Sequence, residues 1–403
     1  MIRSIVRWFQ RVPLPLQDLV TALVVFMDPI AVRWLSRASA KCHAKDASRI
    51  LIVRVDKIGD FVLWTGAAKA LRTHFRDKTL CLVGNADWIE WARALHLADE
   101  YVPVDRNRFR LNMLYRWKLI AGLRHTQCPV AIHPTYSREI LLGDSLVRFS
   151  GAGMRIGSTG DSSNTLAFLK SLSDHWYTRL VPSASEPLME LVRNAEFVRG
   201  LGLQEFVAER AELGGPAAPS LQTSNPKTAN FFVIFPGGSN PGRMWPAANF
   251  IALGKRIRAA TGWDCRICGS RSERALGDAI SKGLADSTAN LCGTTSILEL
   301  AEIIDSARLV VSNETSAIHI AAGMNTPSVC ITGGGHFGRF LPYKVERCRN
   351  ADTLPKVVAH PMSCFGCNWK CIYSTAGDEA FPCVSQIQVD AVWENVKPLL
   401  ALP

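Results

Sequence analysis

The chain has 403 residues, 48% of them apolar and 20% charged. This balance excludes a largely disordered protein, and the length suits two domains of about 150 to 200 residues each. Lysine and arginine number 46 against 35 aspartates and glutamates, a net charge of +11 that favours anionic partners; no basic run interleaved with aromatics singles out nucleic acid, so none is expected as a partner.

In chain order, residues 1–48 form a basic lead, with Arg3, Arg7, Arg11, Arg33, Arg37, Lys41 and Lys45 around "LVTALVVFM" (19–27). That stretch ends at Asp28 and Pro29 and is too short for a bilayer span of about 20 residues. "ASA" (38–40) resembles a signal-cleavage site, but Asp18 and Asp28 bracket the short apolar core. An amphipathic segment is expected, lying either on a membrane or on the body of the protein.

From residue 49 short apolar runs alternate with amphipathic stretches. "RILIVRV" (49–55) and "TLCLVG" (79–84) read as strands, and "FVLWTGAAKALRTHF" (61–75) and "ADWIEWARALHL" (86–97) as helices. "EYVPVD" and "PVAIHP" continue the series. The rhythm breaks at the Gly/Pro/Ser/Ala-rich stretch 208–228, which reads as a linker.

It restarts with the strand "NFFVIFPGG" (230–238), the helix 246–260, the strand-like "DCRICGS" and the helices 272–284 and 297–307. "RLVVSN" and the helix 315–324 follow. The expected organisation is α/β: a Rossmann-like doubly wound domain over 49–207, the linker, and a second such domain over 229–360, facing a central cleft where ligands bind. Residues 361–403 form a cysteine-rich segment with a helix at 388–401.

Three polar turns after strands could carry chemistry. In "RVDKIGDFVLWTGA" (54–67) Asp60 stands at a helix start, as an N-cap or as a general base at the mouth of the cleft. In "FPGGSNPGRMWP" (235–246), Gly237, Gly238 and Ser239 let backbone N–H groups approach an anion, and Arg243 could bond a phosphate. In "VVSNETSAIHIAAG" (310–323), Glu314, Thr315 and Ser316 open a helix, with His319 four residues after Thr315 on the same face.

"GGGHFG" (333–338) fits the dinucleotide spacing Gly-x-Gly-x-x-Gly. The following "RFLPYKVERCR" lacks a helical apolar pattern and carries Pro342, so NAD is not required. Three glycines mark a backbone passing close to either a packed neighbour or a ligand.

Together the stretches "ILIVRVDKIGDFVLWTGAAKALR", "FPGGSNPGRMWPAANFIALGKRI" and "VVSNETSAIHIAAGMNTPSVCITGGG" resemble glycosyltransferase family 9, the ADP-heptose:lipopolysaccharide heptosyltransferases and their relatives, over residues 49–340. The resemblance implies a GT-B fold and an inverting transfer needing no catalytic cofactor, with the nucleotide-diphosphate sugar held mainly by the second domain. It implies Asp60 as base, Arg243 as the cation for the departing diphosphate, and contacts to the nucleotide sugar from Thr315 and His319. Glu314 and Ser316 stand where the family commonly has Asp and Gly around a central Thr, which bears on the sugar accepted. The glycine run, with Gly334 and Gly335, is then expected to line the donor pocket.

Cys364, Cys367, Cys371 and Cys383 follow a Cys-x2-Cys-x3-Cys-x11-Cys spacing. They are expected either as a structural zinc or iron knot or as reduced or disulfide-linked structural cysteines. Some protein heptosyltransferases that the chain resembles hold iron with cysteines near the C-terminus. The expected function is transfer of a heptose-like sugar from a nucleotide donor, by the resemblance ADP-heptose, to a lipopolysaccharide-type acceptor. The expected setting is cytoplasmic, with the inner membrane face as a peripheral contact. The alternatives are a protein O-heptosyltransferase and a non-catalytic GT-B binding protein.

Overall fold

The computed structural model describes residues 21, 23–30, 46–210, 213, 230–285, 287–348, 353–373 and 379–401. Most of the basic lead (1–20, 22 and 31–45) and of the expected linker (211, 212 and 214–228) lies outside the described residues. Two compact units form: 1–57 with 67–184 and 193–206, and 58–66 with 185–192 and 207–403.

The first unit is built on β1 (Arg49–Arg54), β2 (Thr79–Asn85), β3 (Glu100–Val104), β4 (Val130–His133), β5 (Met154–Ser158) and β6 (Arg179–Val181). Their order is β3-β2-β1-β4-β5-β6 with every pair parallel. Ile50 to Val53 are buried without alternation, the pattern of a central strand covered on both faces. A π-turn, Ile140–Asp144, brings Asp144 to the Tyr177 hydroxyl at 2.6 Å and to Arg138 at 3.2 Å, and Tyr177 also meets His133 Nδ1 at 2.7 Å. All four side chains are buried, so this network ties β4 to the turn packed on it.

The second unit repeats the winding with β7 (Phe231–Phe235), β8 (Asp264–Ile267), β9 (Thr288–Asn290), β10 (Leu309–Asn313), β11 (Ser328–Thr332) and β12 (Lys356–Ala359). The order β12-β11-β10-β7-β8-β9 is again all parallel. Its strand order reverses between β7 and β10, and a doubly wound sheet binds ligands beyond the carboxyl ends of the strands at such a point.

The core of this unit runs from Phe232, Ile234 and Phe250 to Val392 and Val396 of the last helix, Val389–Val396. Trp245 is buried in it, its indole donating to Ile387 O at 2.8 Å and its ring lying edge-on to Phe250. The tryptophan of "MWP" is thus the anchor from which the turn 236–244 departs.

Candidate active site

Sequence sets this site by placing polar residues just past the apolar runs of β7 and β10. Asn313 closes β10; its buried amide donates to Pro236 O at 2.6 Å and Gly237 O at 3.1 Å, and accepts from Trp245 N–H at 3.0 Å. One side chain therefore fixes the loop after β7 at both ends. Glu273 holds the same loop from another side, accepting from Gly238 N–H at 3.0 Å and Ser270 N–H at 2.6 Å. A Cβ on Gly237 would lie 1.9 Å from Glu273 Oε1, so only glycine fits there.

Arg243 ends the 3-10 turn Pro241–Arg243. Its guanidinium donates to Ser239 Oγ at 2.9 Å, lies 3.6 Å from Glu314 Oε1 and stands 4.1 Å above the Trp369 ring. Its Nε is buried without a hydrogen-bond partner among the described residues. Burial lowers the Arg243 pKa from its ordinary value, against the pull of Glu314. Burial also pushes the Glu314 carboxyl up, opposed by Arg243 and by the Thr332 hydroxyl, which donates to it at 2.8 Å. Burial thus favours the neutral form of each partner, the general cost of desolvating a charge.

Thr315 caps the helix Ser316–Gly323, accepting from Ala317 N–H at 3.3 Å and meeting Ser312 Oγ at 2.9 Å. Ser316 is the first helical residue, where free N–H groups and the helix dipole favour an anion. His319 follows one turn later with 4% exposure, stacked on Tyr343 and with Nδ1 at 2.9 Å from its hydroxyl. Burial lowers its pKa to about 4, so the imidazole is neutral at physiological pH.

Asp60 is not the helix cap. The helix Ile58–His74 starts three residues before the expected position, with Lys57 as N-cap and no side-chain cap. Asp60 therefore sits inside the first turn, where the helix dipole favours a carboxylate. Its neighbour Gly59 lies against His319, since a Cβ there would come within 3.2 Å of the imidazole Cδ2. The glycine of the "GD" pair and the histidine are thus brought together within the second unit.

The glycine run meets a packed neighbour. A Cβ on Gly334 would lie 2.0 Å from Phe365 and one on Gly335 2.2 Å from Trp369. Gly334 O and Gly335 O accept from Gly366 N–H at 2.8 Å and Asn368 N–H at 3.0 Å. Residues 364–369 are therefore laid on the run like a lid on a seam, and residues 333–348 directly after β11 form no helix of the kind a dinucleotide fingerprint requires. His336 is held on both sides: Nδ1 accepts from the Trp369 indole at 3.2 Å, and Nε2 meets Asn368 Oδ1 at 2.6 Å.

Cys364, Cys367, Cys371 and Cys383 are all free, and among the described residues no three His, Cys, Asp or Glu side chains are placed to hold a metal ion. Cys383 reaches the apolar core, its sulfur under Gly333. Burial raises its pKa, and the thiols of Cys364, Cys371 and Cys367 push it further up.

Three residues escaped sequence reasoning: Glu273, Trp369 and Tyr343 reach the site from distant segments. Asn313 was read only as part of a helix start. A capping-box spacing at Ser270–Glu273 was the one local signal.

Two parallel sheets wound alike, with a glycine loop, an arginine and a capped helix start at the second sheet's switch point, define a GT-B protein. The family model of glycosyltransferase family 9 (heptosyltransferase) matches residues 135–358, and the chain belongs to that family. Lipooligosaccharide heptosyltransferase 2 of Haemophilus ducreyi is 30% identical over 91 residues, 22% of this chain and 26% of that protein. The chain thus matches about a quarter of that curated relative's length.

Among solved structures, E. coli heptosyltransferase WaaC with ADP-2-deoxy-2-fluoro heptose superposes with a TM-score of 0.64 at 18% identity, covering 87% of this chain and 99% of that one. The iron-containing dodecameric glycosyltransferase TibC from enterotoxigenic E. coli gives 0.52 at 13%, covering 88% and 77%. At these identities the likeness establishes the fold.

Proposed function

We propose that this protein is an inverting glycosyltransferase that moves a heptose-like sugar from a nucleotide-diphosphate donor, ADP-heptose, to a hydroxyl of a lipopolysaccharide-type acceptor. The observation that carries the reading is the Arg243–Ser239–Glu314 cluster beside the Ser316–Gly323 helix start. Donors from a backbone loop, a guanidinium and a helix N-terminus suit a diphosphate. The names of the relatives supply the sugar and the acceptor class.

In this reading Asp60 takes the proton of the acceptor hydroxyl as its oxygen bonds to the anomeric carbon. The bond from that carbon to the diphosphate oxygen breaks on the opposite face, inverting the configuration. The diphosphate leaves with the electron pair, and Arg243 and the helix start meet its charge. His319, neutral at the pH of catalysis, contributes shape and hydrogen bonding to the donor rather than charge.

Among the described residues no helix is long and apolar enough to cross a membrane, and the reading places the enzyme in the cytoplasm, in peripheral contact with the inner membrane. The test is transfer itself: purified protein with ADP-heptose and a heptose-free lipopolysaccharide core should release ADP in an acceptor-dependent manner. Absence of release with any core acceptor would sink the reading.

A further inference from the structure

One carboxylate lies inside the cluster assigned to the diphosphate. Glu314 stands between β10 and the Ser316–Gly323 helix, its backbone N–H donating to Ile331 O at 3.1 Å and its side chain only 7% exposed. Groups from three neighbouring stretches face it. Arg243 Nη2, from the loop after β7, lies 3.6 Å from Oε1, and the Thr332 hydroxyl, at the end of β11, donates to Oε2 at 2.8 Å. Arg339, past the glycine run, adds a further attraction. The Cys330 thiol on β11 also feels this carboxylate, and burial keeps that thiol neutral.

Arg339 in turn lies 3.5 Å from Glu190 Oε2. Glu190, Arg339, Glu314 and Arg243 therefore alternate in sign, two carboxylates against two guanidiniums, and their charges cancel. With all four ionised the group offers a diphosphate no net positive charge. A diphosphate gains the full attraction of Arg243 only when one of the carboxylates gives up its charge.

Two features make Glu314 the one that yields. At 3.6 Å its contact with Arg243 is longer than a hydrogen bond, so no bidentate fork has to be broken when another anion takes the guanidinium. Burial already favours its neutral form. An anion arriving at Arg243 weakens the cation's pull on Glu314 and adds a like charge beside it. In a site shielded from water the cheaper outcome is a proton on the carboxylate.

We propose that Glu314 is an internal counterion that stands at the diphosphate subsite until the donor arrives, and that the donor's diphosphate replaces it at Arg243 as Glu314 takes one proton from solvent. The new O–H bond forms on the Glu314 carboxylate, buffer supplies the proton, and release of the nucleoside diphosphate returns it. The proposal rests on the reading above that the Arg243 cluster takes a diphosphate. Its sign follows from linkage: binding raises the Glu314 pKa, so nucleotide affinity is highest where Glu314 is protonated with or without nucleotide. Affinity then falls as pH rises between the two pKa values and levels off above both.

The experiment is calorimetric titration of the full chain with ADP in pairs of buffers that share a pH and differ in ionisation enthalpy, for wild type and Glu314→Gln. The protons of ADP itself cancel in the difference between the two proteins. Wild type is expected to take up more protons than the variant, by up to about one per ADP. At about pH 8 the variant should bind ADP about tenfold more tightly than wild type, the worth of one pKa unit of coupling. Thr332→Val removes the hydroxyl that steadies the anionic carboxylate and should move the fall in affinity to higher pH. This second variant decides the case if Glu314→Gln lowers the melting temperature.

Equal proton uptake in wild type and Glu314→Gln would overturn the proposal and leave the diphosphate reading in place, because ADP would still bind. An unmoved pH profile in Thr332→Val would overturn it as well. A wild type that binds no ADP would overturn both the proposal and the reading on which it rests.

Discussion

Gly237 is pressed against a carboxylate that cannot withdraw, because Glu273 is held by two backbone N–H groups. Gly237→Ala should therefore destabilise the protein by about 1–3 kcal/mol, the usual cost of overpacking, read as a lowered melting temperature. Adding Glu273→Ala should recover part of the loss, since the two changes share one contact. His319 makes a pH prediction. Its folded pKa is lowered from 6.5 to about 4, so the unfolded chain binds the proton more readily. The stabilisation is full above 6.5 and is lost as pH falls toward 4, by up to about 3 kcal/mol. In His319→Gln the unfolding free energy, measured by denaturant titration, should fall less steeply across that window. An unchanged slope would contradict a buried neutral imidazole.

At the scale of elements, the segment carrying residues 364–369 acts as a shelf for the site. It packs on the glycine run and presents Trp369 beneath Arg243. Trp369→Ala should weaken ADP binding about fivefold, the worth of one partly buried cation–π contact. Calorimetric titration reads this directly, and an unchanged affinity would show that Arg243 needs no support. The sequence pattern made the glycine run visible but left its neighbour open, because Phe365 and Trp369 lie some 30 positions on and no local spacing records that contact. The cap at Asp60 was misplaced for a related reason: Ile58 and Gly59 carry no helix-start signal, and Lys57 caps with its backbone alone. The cysteine spacing was legible, but that Cys383 also packs in the core was not.

Across the whole molecule, legibility followed burial. β1, β7, β10 and β11 are almost uniformly buried, and their unbroken apolar runs announced the two parallel sheets. β6, β9 and β12 are short and partly exposed, as sheet edges are, and carry little apolar signal. The region 134–207, read only as the end of a domain, supplies β5, β6 and the π-turn. Of the site, the residues local to each turn were legible. The partners that fix them, Asn313 across two strands and Glu273 from another helix start, depend on the folded chain.

The enzymatic account stands most directly on Asp60 as base. Acceptor-dependent ADP release from ADP-heptose should be measured for wild type and Asp60→Asn, together with the ADP affinity of each. The account predicts a kcat lower by about a hundredfold or more in Asp60→Asn, with ADP affinity within about twofold of wild type. Full turnover in the variant would contradict the assignment of the base, and no turnover in the wild type would contradict the proposed activity.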